Sequence, residues 1–141
     1  LIINDRVDVA LAVDADGVHL GQSDMPADIA RRLIGKDKLL GLSIENEQQL
    51  IDAESLPIDY VGLSAIFATP TKSNTKKEWG IEGLRNAVAN SSFPIVAIGG
   101  INASNLNAII DTNVNGVALV SAICHAPSPK QAVRDLLKQM G

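Results

Sequence analysis

Asp5 and Asp24 are the residues whose type and placement best suit a divalent ion. Each stands just past a short apolar run, Leu1–Asn4 for the first and Gly17–Leu20 for the second. Hard carboxylate oxygens with no neighbouring Cys or His pair favour Mg²⁺, which takes one or two carboxylates and completes its shell with phosphate oxygens and water. The same composition disfavours zinc. Taken singly, each aspartate reads equally well as a helix cap, Asp5 for the stretch after it and Asp24 for the helix expected near Pro26. Both readings stay open at this point.

Two further segments have the chemistry of anion binding. Ile98-Gly99-Gly100-Ile101 and Val120-Ser121-Ala122-Ile123 follow consecutive apolar runs. Glycine lets backbone approach an anion closely, and free N–H groups at a short helix N-terminus donate to it. The alternative is a tight turn at the glycines and a helix cap at Ser121. Thr69-Pro70-Thr71-Lys72 opens the longest loop, which runs to about Trp79 and also carries Lys76 and Lys77. Loops of that length are usually functional or disordered. Two hydroxyls and an ammonium at Thr69, Thr71 and Lys72 suit a phosphate or pyrophosphate, with the remainder folding over as a lid. Lys76 and Lys77 are read as solvated.

The elements that must position these groups alternate regularly. Apolar runs at Leu1–Asn4, Gly17–Leu20, Leu40–Ser43, Tyr60–Leu63, Ile95–Ile98 and Val117–Val120 predict six parallel strands. Helical patterns fall at Pro26–Ile34, Asn46–Ala53, Ile81–Asn90, Ser104–Asp111 and Pro129–Met140, with a weaker one at Arg6–Val13. Ser128 is expected as N-cap of the last, with Pro129 at its first turn. Strict βα alternation predicts an α/β fold with helices packed on a parallel sheet. In such folds the working groups gather at the C-terminal ends of strands. The residues there are polar throughout: Asn4-Asp5, Gly21-Gln22-Ser23-Asp24, Ser43, Thr69–Lys72, Gly99-Gly100 and Ser121-Ala122. The pattern alone does not separate a (β/α) barrel, which needs eight strands, from an open doubly wound sheet.

Composition narrows the partners. The chain has 141 residues, 46% of them hydrophobic and 20% charged, with a net charge of −4. That charge offers no basic field for nucleic acid. No apolar run is long enough to cross a bilayer, and the lone Cys124 excludes an internal disulfide framework, so a reducing cytoplasm is expected. Cys124 is expected as a small buried apolar group. His19, between Val18 and Leu20, is expected as a hydrogen-bonded core residue rather than a catalyst. Trp79 is expected to pack where the long loop rejoins the sheet. A homo-oligomer is left open.

Five motifs together resemble the thiamine-phosphate synthases: Leu1-Ile2-Ile3-Asn4-Asp5-Arg6, Gly17-Val18-His19-Leu20-Gly21-Gln22-Ser23-Asp24, Thr69-Pro70-Thr71-Lys72, Gly80-Ile81-Glu82-Gly83-Leu84 and Ile98-Gly99-Gly100-Ile101. The resemblance covers essentially the whole chain. It implies a TIM-type (β/α)8 barrel fold with about six βα units present here, as a single partial domain over residues 1–141, truncated at its N-terminus. It also implies joining a pyrimidine diphosphate to a thiazole phosphate by a dissociative, Mg²⁺-assisted substitution without a protein nucleophile. By the same resemblance Asp5 and Asp24 hold Mg²⁺ on the pyrophosphate, and Asn4 and Lys72 contact the pyrophosphate or the adjoining pyrimidine. Ser43 lies beside the pyrimidine amino group. Thr69, Thr71, Gly99, Val120 and Ser121 surround the thiazole phosphate, with Gly100 in the same turn.

Two departures stand out. The family's first two βα units, with a Gln-x-Arg-x-Lys cluster, have no counterpart, and Ser64-Ala65 replaces the more usual Gly-Pro. The rival readings are a related thiazole tautomerase, which is not expected to keep both the Asn-Asp pair and Thr-Pro-Thr-Lys, and a non-catalytic phosphate-ligand-binding fragment.

Overall fold

The computed structural model describes residues 1–68 and 78–141. Among the described residues thirteen elements follow one another. They are β1 (Ile2–Asn4), α1 (Val7–Ala12), β2 (Gly17–Leu20), α2 (Ala27–Ile34), β3 (Leu39–Ile44), α3 (Glu47–Ala53), β4 (Tyr60–Leu63), α4 (Gly80–Asn90), β5 (Ile95–Ile98), α5 (Leu106–Ile110), β6 (Gly116–Ala118), α6 (Ser121–Cys124) and α7 (Pro129–Met140). All six expected strands are present, and the class is α/β.

The chain divides into two compact units, Leu1–Gly62 with Ser92–Pro94, and Leu63–Ser91 with Ile95–Gly141. In the first, strands adjacent in sequence are adjacent in the sheet. β1 pairs parallel with β2, placing Asn4 opposite His19, and β2 pairs parallel with β3, placing His19 opposite Gly41. Side chains alternate along a strand, and residues in register on parallel neighbours share a face. Asn4, His19, Gly41 and, two residues on, Ser43 therefore line one face. Val18, Leu20, Leu40, Leu42 and Ile44 line the other and are buried. Fully burying such a side chain is worth about 1.5–3 kcal/mol.

Helices α1 and α2 supply the cover, through Val7 and Ala10 of one and Ala27, Ala30 and Ile34 of the other. Those spacings are the apolar stripe of an amphipathic helix. Arg31 fastens α2 to the N-terminal ends of the strands. Its guanidinium donates to the carbonyls of Pro57, Gly35 and Lys38 at 2.9, 2.9 and 2.7 Å and to the Asp59 carboxylate at 2.6 Å. Asp59 in turn accepts from the Leu40 amide at 2.7 Å. On α3, Asn46 is a working N-cap, its side-chain oxygen accepting from the Gln49 amide at 3.0 Å.

In the second unit β5 pairs parallel with β6, with Ile98 opposite Ala118. Leu84, Ile95, Ala97, Leu106 and Ile109 form its buried centre. Sequence expectation and structure differ at a few ends. The last strand lies at Gly116–Ala118 rather than reaching Val120, because Val120 already serves as N-cap of the short α6. Ser128 holds the N-cap position of α7 but makes no side-chain cap bond. Cys124 is exposed, not buried, since it ends the single turn of α6 on the surface.

Candidate active site

The first unit brings four of the expected residues to the C-terminal ends of β1, β2 and β3. Asn4 closes β1, and the chain turns sharply after it. Asp5 takes a positive φ of 64°, a left-handed conformation that Asp tolerates better than most residues. Its amide donates to the His19 carbonyl at 2.8 Å, which fixes it at the end of β2. Asp24 returns on its own loop and accepts from the Gly21 amide at 2.6 Å.

Neither aspartate holds the N-cap position of a helix. The N-cap of α1 is Arg6 and that of α2 is Pro26, each without a side-chain bond. Ser43, near the end of β3, is only 7% exposed. Its carbonyl accepts from the Gln22 side-chain amide at 2.7 Å, and its hydroxyl lies 3.0 Å from His19 Nε2.

Sequence reasoning missed how much His19 joins together. Its Nδ1 lies 3.0 Å from the Tyr60 hydroxyl, so one imidazole links β2, β3 and β4. Burial, and secondarily the charge of Asp59, raises the Tyr60 phenol above its ordinary pKa and keeps it protonated. The available signal was register: a polar residue inside Gly17–Leu20 must share the face of Asn4 once the two strands pair.

In the second unit the glycine turn leaves β5 beside the turn that leaves β6, as the register of Ile98 with Ala118 requires. Gly99 and Gly100 have φ of 98° and 67°. The space above Gly100 is closed as well, because an added Cβ would lie 2.7 Å from Phe67 Cβ and 2.8 Å from the Ala68 carbonyl oxygen. Only glycine fits both constraints. Carbonyl groups of this turn are engaged: Gly99 accepts from the Phe67 amide at 3.1 Å and Gly100 from the Asn105 side chain at 2.9 Å. Among the described residues no partner is found for the amide of Gly100 or for those of Ser121 and Ala122 at the start of α6. Unpaired amides on neighbouring turns are the donors an anion requires.

Val120 and Ser121 are exposed at that turn. The Ser64–Ala65 peptide, at the departure from the family pattern, is cis. Trp79 rejoins the fold through its amide, which donates to the Ala65 carbonyl at 3.0 Å, and its ring lies against Gly83. Thr69, Thr71 and Lys72 lie outside the described residues.

The two carboxylates fit Mg²⁺ by donor type: hard oxygens at the ends of paired strands, with the remaining positions left to phosphate and water. Among the described residues no group of three or more His, Cys, Asp or Glu side chains is gathered to hold an ion by itself.

A sequence model described as thiamine monophosphate synthase matches residues 1–123. The chain belongs to the thiamine monophosphate synthase family. A curated thiamine-phosphate synthase of Vibrio campbellii is 73% identical over 140 residues, which cover 99% of this chain and 69% of that relative. Among solved structures, the thiamine phosphate pyrophosphorylase of Pyrococcus furiosus is 40% identical with a TM-score of 0.90, over 99% of this chain and 66% of that one. Likeness of fold extends further: the 3-hexulose-6-phosphate synthase of Salmonella typhimurium, 14% identical, has a TM-score of 0.71 over 95% of this chain and 65% of its own.

Membership in the thiamine monophosphate synthase family decides between the two architectures that pattern left open. The six βα units belong to the TIM-type (β/α)8 barrel family rather than to an open doubly wound sheet. They correspond to about two thirds of the length of these synthases. Among the described residues no helix is long and apolar enough to cross a membrane.

Proposed function

We propose that this chain carries the substrate-binding strand ends of a thiamine-phosphate synthase. The reaction condenses 4-amino-2-methyl-5-hydroxymethylpyrimidine diphosphate with 4-methyl-5-(2-phosphoethyl)thiazole. The bond between the pyrimidine methylene and the diphosphate oxygen breaks, and its electron pair leaves with pyrophosphate. The thiazole nitrogen lone pair then forms the new C–N bond, giving thiamine phosphate. No protein nucleophile takes part, in keeping with the composition of the strand ends, which offer amides, carboxylates and hydroxyls.

The observation that carries this reading is the parallel register of β1, β2 and β3, which sets Asn4, Asp5, Asp24 and Ser43 at neighbouring strand ends. In the proposal Ser43 contacts the pyrimidine, while Asn4 and Lys72 hold the pyrophosphate as it departs. Asp5 and Asp24 would hold Mg²⁺, which when bound neutralises charge on the leaving group. Thr69, Thr71, Gly99, Gly100, Val120 and Ser121 bind the thiazole phosphate, largely through backbone N–H groups.

The test is calorimetric titration of each substrate into the chain with and without Mg²⁺, followed by assay for thiamine phosphate. Pyrimidine diphosphate affinity that rises with Mg²⁺ and loses that dependence in the Asp5→Ala, Asp24→Ala double variant supports the reading. Affinity indifferent to both the ion and the substitutions rejects it.

A further inference from the structure

We infer that His19 and Tyr60 are positioning residues that set the hydroxyl of Ser43 as a combined donor and acceptor for an aminopyrimidine edge. The inference rests on the proposed role of Ser43 and extends it to two residues without a part in that reading.

Three observations carry it. The imidazole of His19 lies within hydrogen-bond distance of Tyr60 on one nitrogen and Ser43 on the other, both at 3.0 Å. The Tyr60 hydroxyl has no other partner among the described residues, and the two rings lie with centroids 5.4 Å apart. The bridge also passes over β3 at Gly41, where an added Cβ would lie 2.2 Å from Tyr60 Cζ, 2.4 Å from His19 Nδ1 and 2.5 Å from the Tyr60 oxygen. The strand between the bonded partners has room for them only because position 41 has no side chain.

Of the two neutral tautomers, the one with its hydrogen on Nε2 gives Ser43 both roles. If Nδ1 carries the hydrogen, it donates to Tyr60, whose own proton then has no acceptor among the described residues, and Ser43 must spend its proton on Nε2. If Nε2 carries the hydrogen, Tyr60 donates to Nδ1 and Nε2 donates to Ser43 Oγ. Ser43 then keeps one lone pair and its proton. A 4-aminopyrimidine presents the matching pair, an amino donor beside a ring-nitrogen acceptor. Burial of Ser43 makes this matter, because water cannot substitute for a missing partner there. The step is one of orientation.

The experiment is a double-mutant cycle on affinity for the pyrimidine diphosphate in the full chain with Mg²⁺, paired with NMR assignment of the His19 tautomer. Tyr60→Phe keeps the ring and removes only the hydroxyl, so it tests the bridge even where replacing His19 prevents folding. The expected result is a single Nε2–H tautomer in the unsubstituted chain that becomes mixed in Tyr60→Phe, with affinity lowered about three- to tenfold, the worth of one hydrogen bond. Ser43→Ala lowers affinity by at least as much, and adding Tyr60→Phe to it then changes nothing further. Additive losses, or a tautomer unaffected by Tyr60→Phe, overturn the inference while leaving the role of Ser43 standing. A silent Ser43→Ala overturns that role and the inference with it.

Discussion

The Asp24 carboxylate accepts a hydrogen bond from the amide of Gly21 at 2.6 Å, and so helps to shape the loop on which it is carried. A second function at the same carboxylate, holding Mg²⁺, is separable from the first. Asp24→Asn keeps a side-chain oxygen for the amide but not the charge. It is expected to leave the denaturation midpoint close to that of the unsubstituted chain while removing most of the Mg²⁺ dependence of pyrimidine diphosphate binding. Asp24→Ala should lose both, with about 1 kcal/mol of stability gone in a denaturant titration. Equal Mg²⁺ dependence in Asn and unsubstituted proteins would count against the metal role.

Gly100 is constrained twice, by its positive φ and by the closeness of Phe67 and Ala68. An alanine there must strain the backbone by roughly 1–2 kcal/mol and also displace backbone atoms it would overlap. Gly100→Ala is therefore expected to destabilise the chain by at least about 2 kcal/mol. Thiazole phosphate affinity, measured below the denaturation midpoint, should fall more than tenfold because the turn that presents the amides has moved. Unchanged affinity would remove the glycine turn from the phosphate site.

Much of this layout was legible in the residues. The boundaries of Gly17–Leu20, Tyr60–Leu63 and Ile95–Ile98 coincide with β2, β4 and β5, because short β-branched and leucine-rich runs between turn residues have few other ways to bury themselves. Strand-end chemistry was legible for the same reason: polar residues directly after such a run must emerge at its end. What the chain did not disclose was cross-strand pairing. His19 read as a hydrogen-bonded core residue, but its partners were not named because they lie 24 and 41 residues away and only register brings them together. Cys124 read as buried because its type is usually so, whereas a one-turn helix at the surface has no interior to offer it. The N-cap positions weighed for Asp5 and Asp24 are held by Arg6 and Pro26, which directly precede the helices.

Arg31 lies away from the strand ends that carry the candidate site. With only 17% of its side chain exposed, it satisfies three carbonyl groups and one carboxylate. A lysine has one ammonium and cannot reproduce that planar fork. Arg31→Lys and Arg31→Ala are both expected to lower stability by about 2–3 kcal/mol with ligand affinities unchanged, read by denaturant unfolding and calorimetry. Full recovery of stability in the lysine variant would contradict the structural account of this clip.

Asp8 offers a pH test. The Arg6 guanidinium, bonded to it at 2.8 and 2.5 Å, lowers its pKa from 3.8 to about 2. A carboxylate whose pKa is depressed by folding contributes stability that is complete above its unfolded value and is lost as pH falls through the folded one. The window for this pair is thus below about 3.8 and down to about 2. Both side chains are largely exposed, so the effect on overall stability is small. The carboxyl carbon of Asp8 should titrate near 2 by NMR and return towards 3.8 in Arg6→Gln. A midpoint near 3.8 with Arg6 in place would show that the pair does not persist in solution.

The most direct test of the central claim is an NMR titration of the isotope-labelled chain with pyrimidine diphosphate and Mg²⁺, mapping which amides shift. The account predicts the largest changes at Asn4, Asp5, His19, Asp24 and Ser43, the polar ends of β1, β2 and β3. Saturable binding whose shifts fall instead on Arg31, Asp59 and the opposite ends of those strands would contradict it.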